Sequence, residues 1–456
     1  MATVTGTNGN DVLSAATLPV GTTAGDDFIF GFAGNDLVLR SAGNDSIDGG
    51  EGFDALDYSD TTSRVVLNVA AGTWREFNAA GALQKSDHVY AVEEFRSGSG
   101  DDSLSGSGAD EVFAPGLGQD VVNGGDGFDT LGYAAATARV FVDLAGGTAR
   151  DWAGGTDSFS GIEGARGGAA NDVLLGGPDF TFLRGNAGAD TLVSGWTGTT
   201  AVRGSIGLDY AADPAGVVLD LAAGTVTDGT GARDTLVGKF RAVIGSAFAD
   251  TLSGDDGDYV FRPRGGADTI AGRGGWDRLD FRDEANADPD GDGFAVTAVL
   301  AADGSGAARD SGGALDSFTG IEWLRGSSFA DSLVATGPGG AVFGALFLPL
   351  SAPFELEGWA GDDLLVGVPD SGVVARYAAD QGNVVVDLAA GFALDEFGYR
   401  DTLVGLWGIA GTGAADTILL SAAGDYARPG AGADVIDGRD GIDLVDYFGA
   451  PAGIVA

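Results

Sequence analysis

Of 456 residues, 81 are Gly, 67 are Asp or Glu, 24 are Lys or Arg and none is Cys, which gives a formal charge of −43. Such acidity excludes nucleic-acid and anionic-membrane partners, whose binding depends on Lys and Arg neutralising phosphate, and the missing Cys excludes disulfides, thiolate metal sites and a Cys nucleophile. A Gly share more than double the usual ~7%, beside a hydrophobic fraction of 44%, fits neither collagen nor disorder and points to an internal repeat.

The chain opens on MATVTGTNGNDVL, which has no basic stretch followed by an apolar run, so no cleaved secretory leader is expected there. From Thr22 it falls into rows of nine: TTAGDDFIF, GFAGNDLVL, RSAGNDSID, GGEGFDALD. Asp27, Asp36, Asp45 and Asp54 form one column, Gly25, Gly34, Gly43 and Gly52 another two places earlier, and Ile29, Val38, Ile47 and Leu56 a third two places later; Asp11 belongs to an earlier copy. The Gly-rich first six residues of a row suit a turn with positive φ, and the last three make a short strand with one inward apolar residue. Two rows then form one flattened coil of about 18 residues, and coils stacked at roughly 4.8 Å bury the apolar column. Asp27 is thereby expected above Asp45, and Asp36 above Asp54.

Tyr58 closes this tract, and Tyr133, Tyr210, Phe281, Tyr377 and Tyr447 close later ones, which makes them core residues of the coils. Ten residues beyond most of them comes a Val-rich strand, VVLNVAAGT with Asn68, VFVDLAGGT with Asp143, VVLDLAAGT with Asp220 and VVVDLAAGF with Asp387. We read these strands as further β-coils with a wider turn, their terminal Asp as turn formers. The segments DHVYAVE, DSFSGIE and DSFTGIE follow, whose Glu163 and Glu322 are expected to face solvent or cap a turn. The Asp column returns at Asp110, Asp120, Asp129, Asp172, Asp190, Asp250, Asp268, Asp277 and Asp363, with the non-ligands Thr181 and Tyr259 interrupting it, and then regularly at Asp416, Asp425, Asp434 and Asp443.

Two insertions break the pattern. Asp288, Asp290, Asp292 and Gly293 open like an EF-hand loop but meet Val299 at the twelfth place, where a bidentate Glu is required, so a weak solvated or calcium-touching loop is expected. Ala341–Phe354 is apolar but too short for a bilayer span of about 20 residues, and reads as a buried insertion.

Stacked carboxylates need a counter-ion. Ca²⁺ takes about six to eight oxygens and mixes carboxylates with the backbone carbonyls that Gly turns expose; Mg²⁺ demands a tighter octahedron. Zinc and copper want His or Cys, and the chain offers only His88. At this point the rows resemble the GGxGxDxUx nonapeptide of the RTX, or haemolysin-type calcium-binding, family. That resemblance implies a parallel β-roll binding Ca²⁺ between turns, in proteins that bacteria export by type I secretion.

The fold expected is therefore all-β, a parallel β-roll or β-solenoid of calcium-binding nonapeptide rows interleaved with Val-rich β segments. It is read as one continuous solenoid over 1–456, with units at 1–59, 60–133, 134–210, 211–281, 282–377, 378–447 and the start of another at 448–456. The metal candidates are Asp11, Asp27, Asp36, Asp45, Asp54, Asp110, Asp120, Asp129, Asp172, Asp190, Asp250, Asp268, Asp277, Asp363, Asp416, Asp425, Asp434 and Asp443. No catalytic residue is assigned: HExxHxxGxxH, GxSxG and GxxxxGK[ST] are all missing, and His88 is expected to be an ordinary surface or turn residue. The function expected is calcium binding coupled to folding in a secreted protein of adhesin or surface type, with a cell-surface or self-association partner left open. The alternative is the calcium-binding part of a longer secreted toxin or enzyme. Because the closing YFGAPAGIVA stops before its strand Asp, the pattern further leads us to expect a reading frame that continues with more rows and a secretion segment.

Overall fold

The computed structural model describes residues 3–13, 25–178, 180–195, 206–284, 294–337, 354–369, 372–380, 382–395 and 397–447. The EF-hand-like Asp288 to Gly293, most of the apolar stretch (341–353) and the closing 448–456 lie outside them. The chain divides into two compact units, the first comprising Met1–Ala201, Ser205–Leu208 and Gly231–Phe240, the second Val202–Gly204, Asp209–Thr230 and Arg241–Ala456. Each is a parallel β-roll.

In the first unit the row arithmetic is realised directly. Phe28–Ala33 pairs in parallel with Ser46–Glu51, with Phe28 opposite Ser46. Leu37–Leu39 pairs in parallel with Ala55–Asp57, with Leu37 opposite Ala55. Consecutive rows thus alternate between two facing sheets, and a residue stacks on the one eighteen further along the chain. The apolar column fills the space between the sheets: Ile29, Ile47, Val38 and Leu56 are all buried. Burying one such side chain per strand stabilises by about 1.5–3 kcal/mol, so each added coil contributes favourably only when it lies on another. The second sheet of this unit continues through Glu94–Arg96, Val112–Ala114, Thr130–Gly132, Gly164–Arg166 and Thr181–Arg184, all parallel.

The second unit repeats the scheme. One sheet runs through Ala242–Ile244, Val260–Arg262, Arg278–Asp280, Trp323–Arg325, Phe354–Glu357, Val373–Arg376, Gly408–Ala410, Tyr426–Arg428 and Leu444–Val445 in parallel. Facing it lie strands such as Thr251–Ser253, Thr269–Ala271, Thr417–Leu419 and Val435–Asp437.

The Val-rich segments are not wider coils, which corrects the expectation. Each is a three-stranded antiparallel excursion within one sheet. Arg64–Asn68 turns back as Thr73–Phe77, which turns again as Leu83–Tyr90. Leu83–Tyr90 then lies parallel on Ser46–Glu51, while Arg64–Asn68 lies parallel beneath Ser103–Ser105. The same fold-back recurs at Phe141–Asp143, Thr148–Arg150 and Thr156–Ser160. In the second unit it recurs at Thr297–Leu300, Gly306–Arg309 and Leu315–Thr319, and at Val385–Asp387, Phe392–Leu394 and Arg400–Val404. The reversal comes from the strand-end Asx. Asn68, Asp143 and Asp387 accept the N–H three residues on, at 2.8, 2.9 and 2.9 Å. Asp220 does the same for Ala223 at 3.1 Å. These residues are turn formers, as read from the sequence.

Close stacking makes some glycines irreplaceable. Gly361 has φ of 118°, and a Cβ there would stand 2.5 Å from the carbonyl carbon of Phe329 in the coil below. Gly313, in a hairpin turn, also has a positive φ of 83° but faces open space. Gly361→Ala is therefore expected to cost about 2–4 kcal/mol and Gly313→Ala about 1 kcal/mol. Thermal melts in calcium check the order; equal shifts would contradict the stacking.

Candidate metal centre

The row carboxylates form two ladders, one at each turn of the coil. Through Oδ1, each Asp accepts the backbone N–H of the column residue in the preceding coil: Asp11 to Asp36 at 2.8 Å, Asp36 to Asp54 at 2.7 Å, Asp27 to Asp45 at 2.9 Å. The pattern continues from Asp172 to Asp190, Asp250 to Asp268, Asp416 to Asp434 and Asp425 to Asp443. Asp120, Asp129, Asp277 and Asp363 accept in the same way from Asp102, Glu111, Tyr259 and Asp331. All the candidates named from the sequence therefore lie in these ladders except Asp110. Asp110 is exposed and accepts the Phe128 N–H in an outer row of Asx bonds, while Glu111 holds the ladder place.

Sequence reasoning missed the acids that continue each ladder where a hairpin replaces a row. Asp45, Asp120, Asp268 and Asp363 donate their N–H groups to Asp87, Asp157, Asp316 and Asp401. On the other turn, Asp54, Asp129 and Asp277 donate to Glu93, Glu163 and Glu322. Glu163 and Glu322 are thus half-buried ladder members that each cap a backbone N–H, the second of the two roles expected of them, and the Asp and Glu six apart in DSFSGIE and DSFTGIE could have signalled the ladder.

The residue four places before each ladder acid decides what its other oxygen does. Where it is Thr or Ser in ordinary backbone, it caps the carboxylate: the N–H groups of Thr7, Ser246, Thr412 and Ser421 reach Oδ2 of Asp11, Asp250, Asp416 and Asp425 at 2.5–2.7 Å. Where it is left-handed, that bond is lost. Phe32, Gly50, Gly116, Gly125, Arg264 and Trp359 have φ of 80°, 108°, 81°, 116°, 66° and 80°. They precede Asp36, Asp54, Asp120, Asp129, Asp268 and Asp363, whose Oδ2 atoms are buried with no hydrogen-bond partner. Left-handed Phe, Arg and Trp cost of order 1–3 kcal/mol each and persist only where their surroundings demand that shape.

Desolvation dominates the electrostatics. Burial pushes the carboxyls of Asp120 and Asp268 up to about 9 and that of Asp363 up to about 10, with neighbouring carboxylates adding to the shift. Burial likewise raises Asp129 to about 7. Such groups hold a proton unless a cation stands beside them. Calcium fits: the orphaned donors are hard oxygens, and calcium readily completes its shell with backbone carbonyls. No three or more His, Asp or Glu side chains gather at one point among the described residues, so an ion here would combine few carboxylates with backbone carbonyls.

Tyr58, Tyr133 and Tyr377 are buried and each anchors a hairpin acid, whereas Tyr447, expected in the core, is half-buried. Tyr133 donates to Asp157 Oδ2 at 2.6 Å, Tyr377 to Asp401 Oδ2 at 2.7 Å, and Tyr58 likewise to Asp87. Phe281 cannot, and Asp316 Oδ2 is left with no hydrogen-bond partner. Tyr377→Phe is expected to cost about 1–3 kcal/mol in calcium-saturated protein by stranding a buried acceptor. Chemical denaturation checks it, and a neutral result would mean that Asp401 finds another donor. His88 is exposed on Leu83–Tyr90.

In comparison with known families, the sequence model described as the RTX calcium-binding nonapeptide repeat (4 copies) matches residues 22–47, 93–122, 166–196, 243–258, 264–286 and 410–445. No curated protein matches the chain. The matched segments contain Asp36, Asp120, Asp268 and Asp434. Asp54, Asp129 and Asp363 lie outside them, although the ladders carry these residues in the same geometry.

Proposed function

From a chain that carries RTX calcium-binding nonapeptide repeats in an all-β fold, we propose that calcium binding drives folding, in a bacterial protein exported by type I secretion and acting at the cell surface. One observation carries the coupling: buried carboxylate oxygens at Asp36, Asp54, Asp120, Asp129, Asp268 and Asp363 have no hydrogen-bond partner. The ladder acids Asp11, Asp27, Asp36, Asp45, Asp54, Asp120, Asp129, Asp172, Asp190, Asp250, Asp268, Asp277, Asp363, Asp416, Asp425, Asp434 and Asp443 are the residues from which the ligands are drawn. Those following a left-handed turn bind the ion, because no backbone N–H competes for Oδ2, whereas an acid already capped there, such as Asp425, does not.

Calcium supplies the positive charge that lets adjacent acidic turns approach. Without it, a formal charge of −43 and buried unpaired carboxylates oppose compaction. With it, each site adds stability by mass action, about 2.7 kcal/mol at a hundredfold excess over its Kd. Low cytosolic calcium then keeps the chain extended for export, and external calcium folds it. The test is the hydrodynamic radius of the metal-free chain before and after calcium or magnesium. Calcium-specific compaction is expected; an unchanged compact radius in chelator overturns the coupling.

A further inference from the structure

We propose that the rung where a row Asp meets a hairpin Asp is a second kind of cation site, filled by calcium at Asp120–Asp157, Asp268–Asp316 and Asp363–Asp401 and by the chain's own Lys85 ammonium at Asp45–Asp87. The inference rests on the calcium reading above and extends it to acids outside the nonapeptide rows.

These four rungs share one register with a fifth, Asp190–Asp234, whose N–H to Oδ1 bond is 2.9 Å. The N–H of Asp45, Asp120, Asp268 and Asp363 donates to Oδ1 of Asp87, Asp157, Asp316 and Asp401 at 2.8, 3.1, 2.9 and 3.0 Å. At the first, Lys85 Nζ stands 3.2 Å from Asp45 Oδ2 and 3.1 Å from Asp87 Oδ2. It also donates to the Ser41 carbonyl at 2.7 Å and to the Tyr58 hydroxyl at 3.0 Å. Lys85 is 5% exposed, and lysine is almost never buried so deeply unless paired. Its donors and acceptors mark out a cation position lined by two carboxylates and the carbonyl four residues before the row Asp.

At the other three rungs no Lys or Arg stands in the place of Lys85. Lys85 lies opposite Glu76 in its hairpin. The equivalent residues, bonded through their carbonyls to the N–H of Asp151, Asp310 and Asp395, are Gly155, Ala314 and Tyr399. Yet Asp120, Asp268 and Asp363 are 1–2% exposed and their Oδ2 atoms have no hydrogen-bond partner. The residues that take the place of Ser41, four before the row Asp, are Gly116, Arg264 and Trp359, all left-handed. An oxygen-lined, anionic pocket without an ammonium calls for a hard cation, and calcium is the one that tolerates so irregular a donor set. The Asp268–Asp316 rung is the most exposed to this demand, because Phe281 gives Asp316 no phenol and Oδ2 is orphaned on both acids.

Moving the ammonium tests the assignment. Calcium bound per full-length chain is counted by equilibrium dialysis at neutral pH for wild type, Lys85→Ala and Ala314→Lys, with far-UV circular dichroism in saturating calcium as the folding control. Lys85→Ala is expected to bind one more ion than wild type, and Ala314→Lys one fewer. Should Ala314→Lys fail to fold, the gain in Lys85→Ala still decides. Folded variants that both bind the wild-type number overturn this assignment alone, whereas a wild-type chain that binds no calcium overturns the reading beneath it.

Discussion

Asp36→Ala is expected to remove a bound calcium ion and to cost about 3–5 kcal/mol in saturating calcium, the penalty of breaking a buried charge cluster. Asp36 lies over Asp54, and both follow left-handed residues, Phe32 and Gly50. Its Oδ1 takes the Asp11 N–H while Oδ2 is buried without a partner. Removing the side chain strands that N–H and leaves Asp54 facing uncompensated charge. Asp425→Ala is the contrasting variant. The Ser421 N–H already caps Asp425 Oδ2 at 2.6 Å, so the loss should be confined to hydrogen bonds, about 1–3 kcal/mol, with the calcium count unchanged. Calorimetric stoichiometry separates the two; equal losses of calcium would mean that the residue four places back does not select the ligands.

The second large effect is a reversal of pH dependence. In the metal-free fold, burial raises Asp120, Asp268 and Asp363 to about 9, 9 and 10, against about 3.9 when unfolded. The folded state therefore binds more protons across that interval, so the stability these groups contribute is fully present below about pH 4 and is lost as pH rises through about 9. A metal-free chain should gain β structure when acidified from about pH 8 to about pH 5, at about 1.4 kcal/mol per pH unit for each such group. In saturating calcium the slope should invert, because protons compete with the ion for the same oxygens. Circular dichroism against pH in both conditions checks this, and slopes of the same sign would contradict it.

The roll was legible because its period is short and its columns are chemically pure: Asp, Gly and aliphatic residues each keep their place in the early rows. The hairpins were not, since AAGT after a Val-rich strand was read as a wider coil, although Asn68 and Gly72 carry the signals of a tight reversal. Asp157, Asp316 and Asp401 are hidden in the sequence because an inserted hairpin breaks the nine-residue count of the column. Asp110 sits one place off the register, since counting nine back from Asp120 lands on Glu111. The difference between capped and open rungs was written in the chain as Ser or Thr four places before the acid. Its meaning emerges only with the backbone, where Ser246 reaches Asp250 and Arg264 turns away from Asp268.

The most direct measurement is far-UV circular dichroism of the metal-free chain at neutral pH as calcium rises from micromolar to millimolar. The account predicts a cooperative change from coil to β that magnesium fails to produce. A full β spectrum in excess chelator, unmoved by calcium, would contradict it.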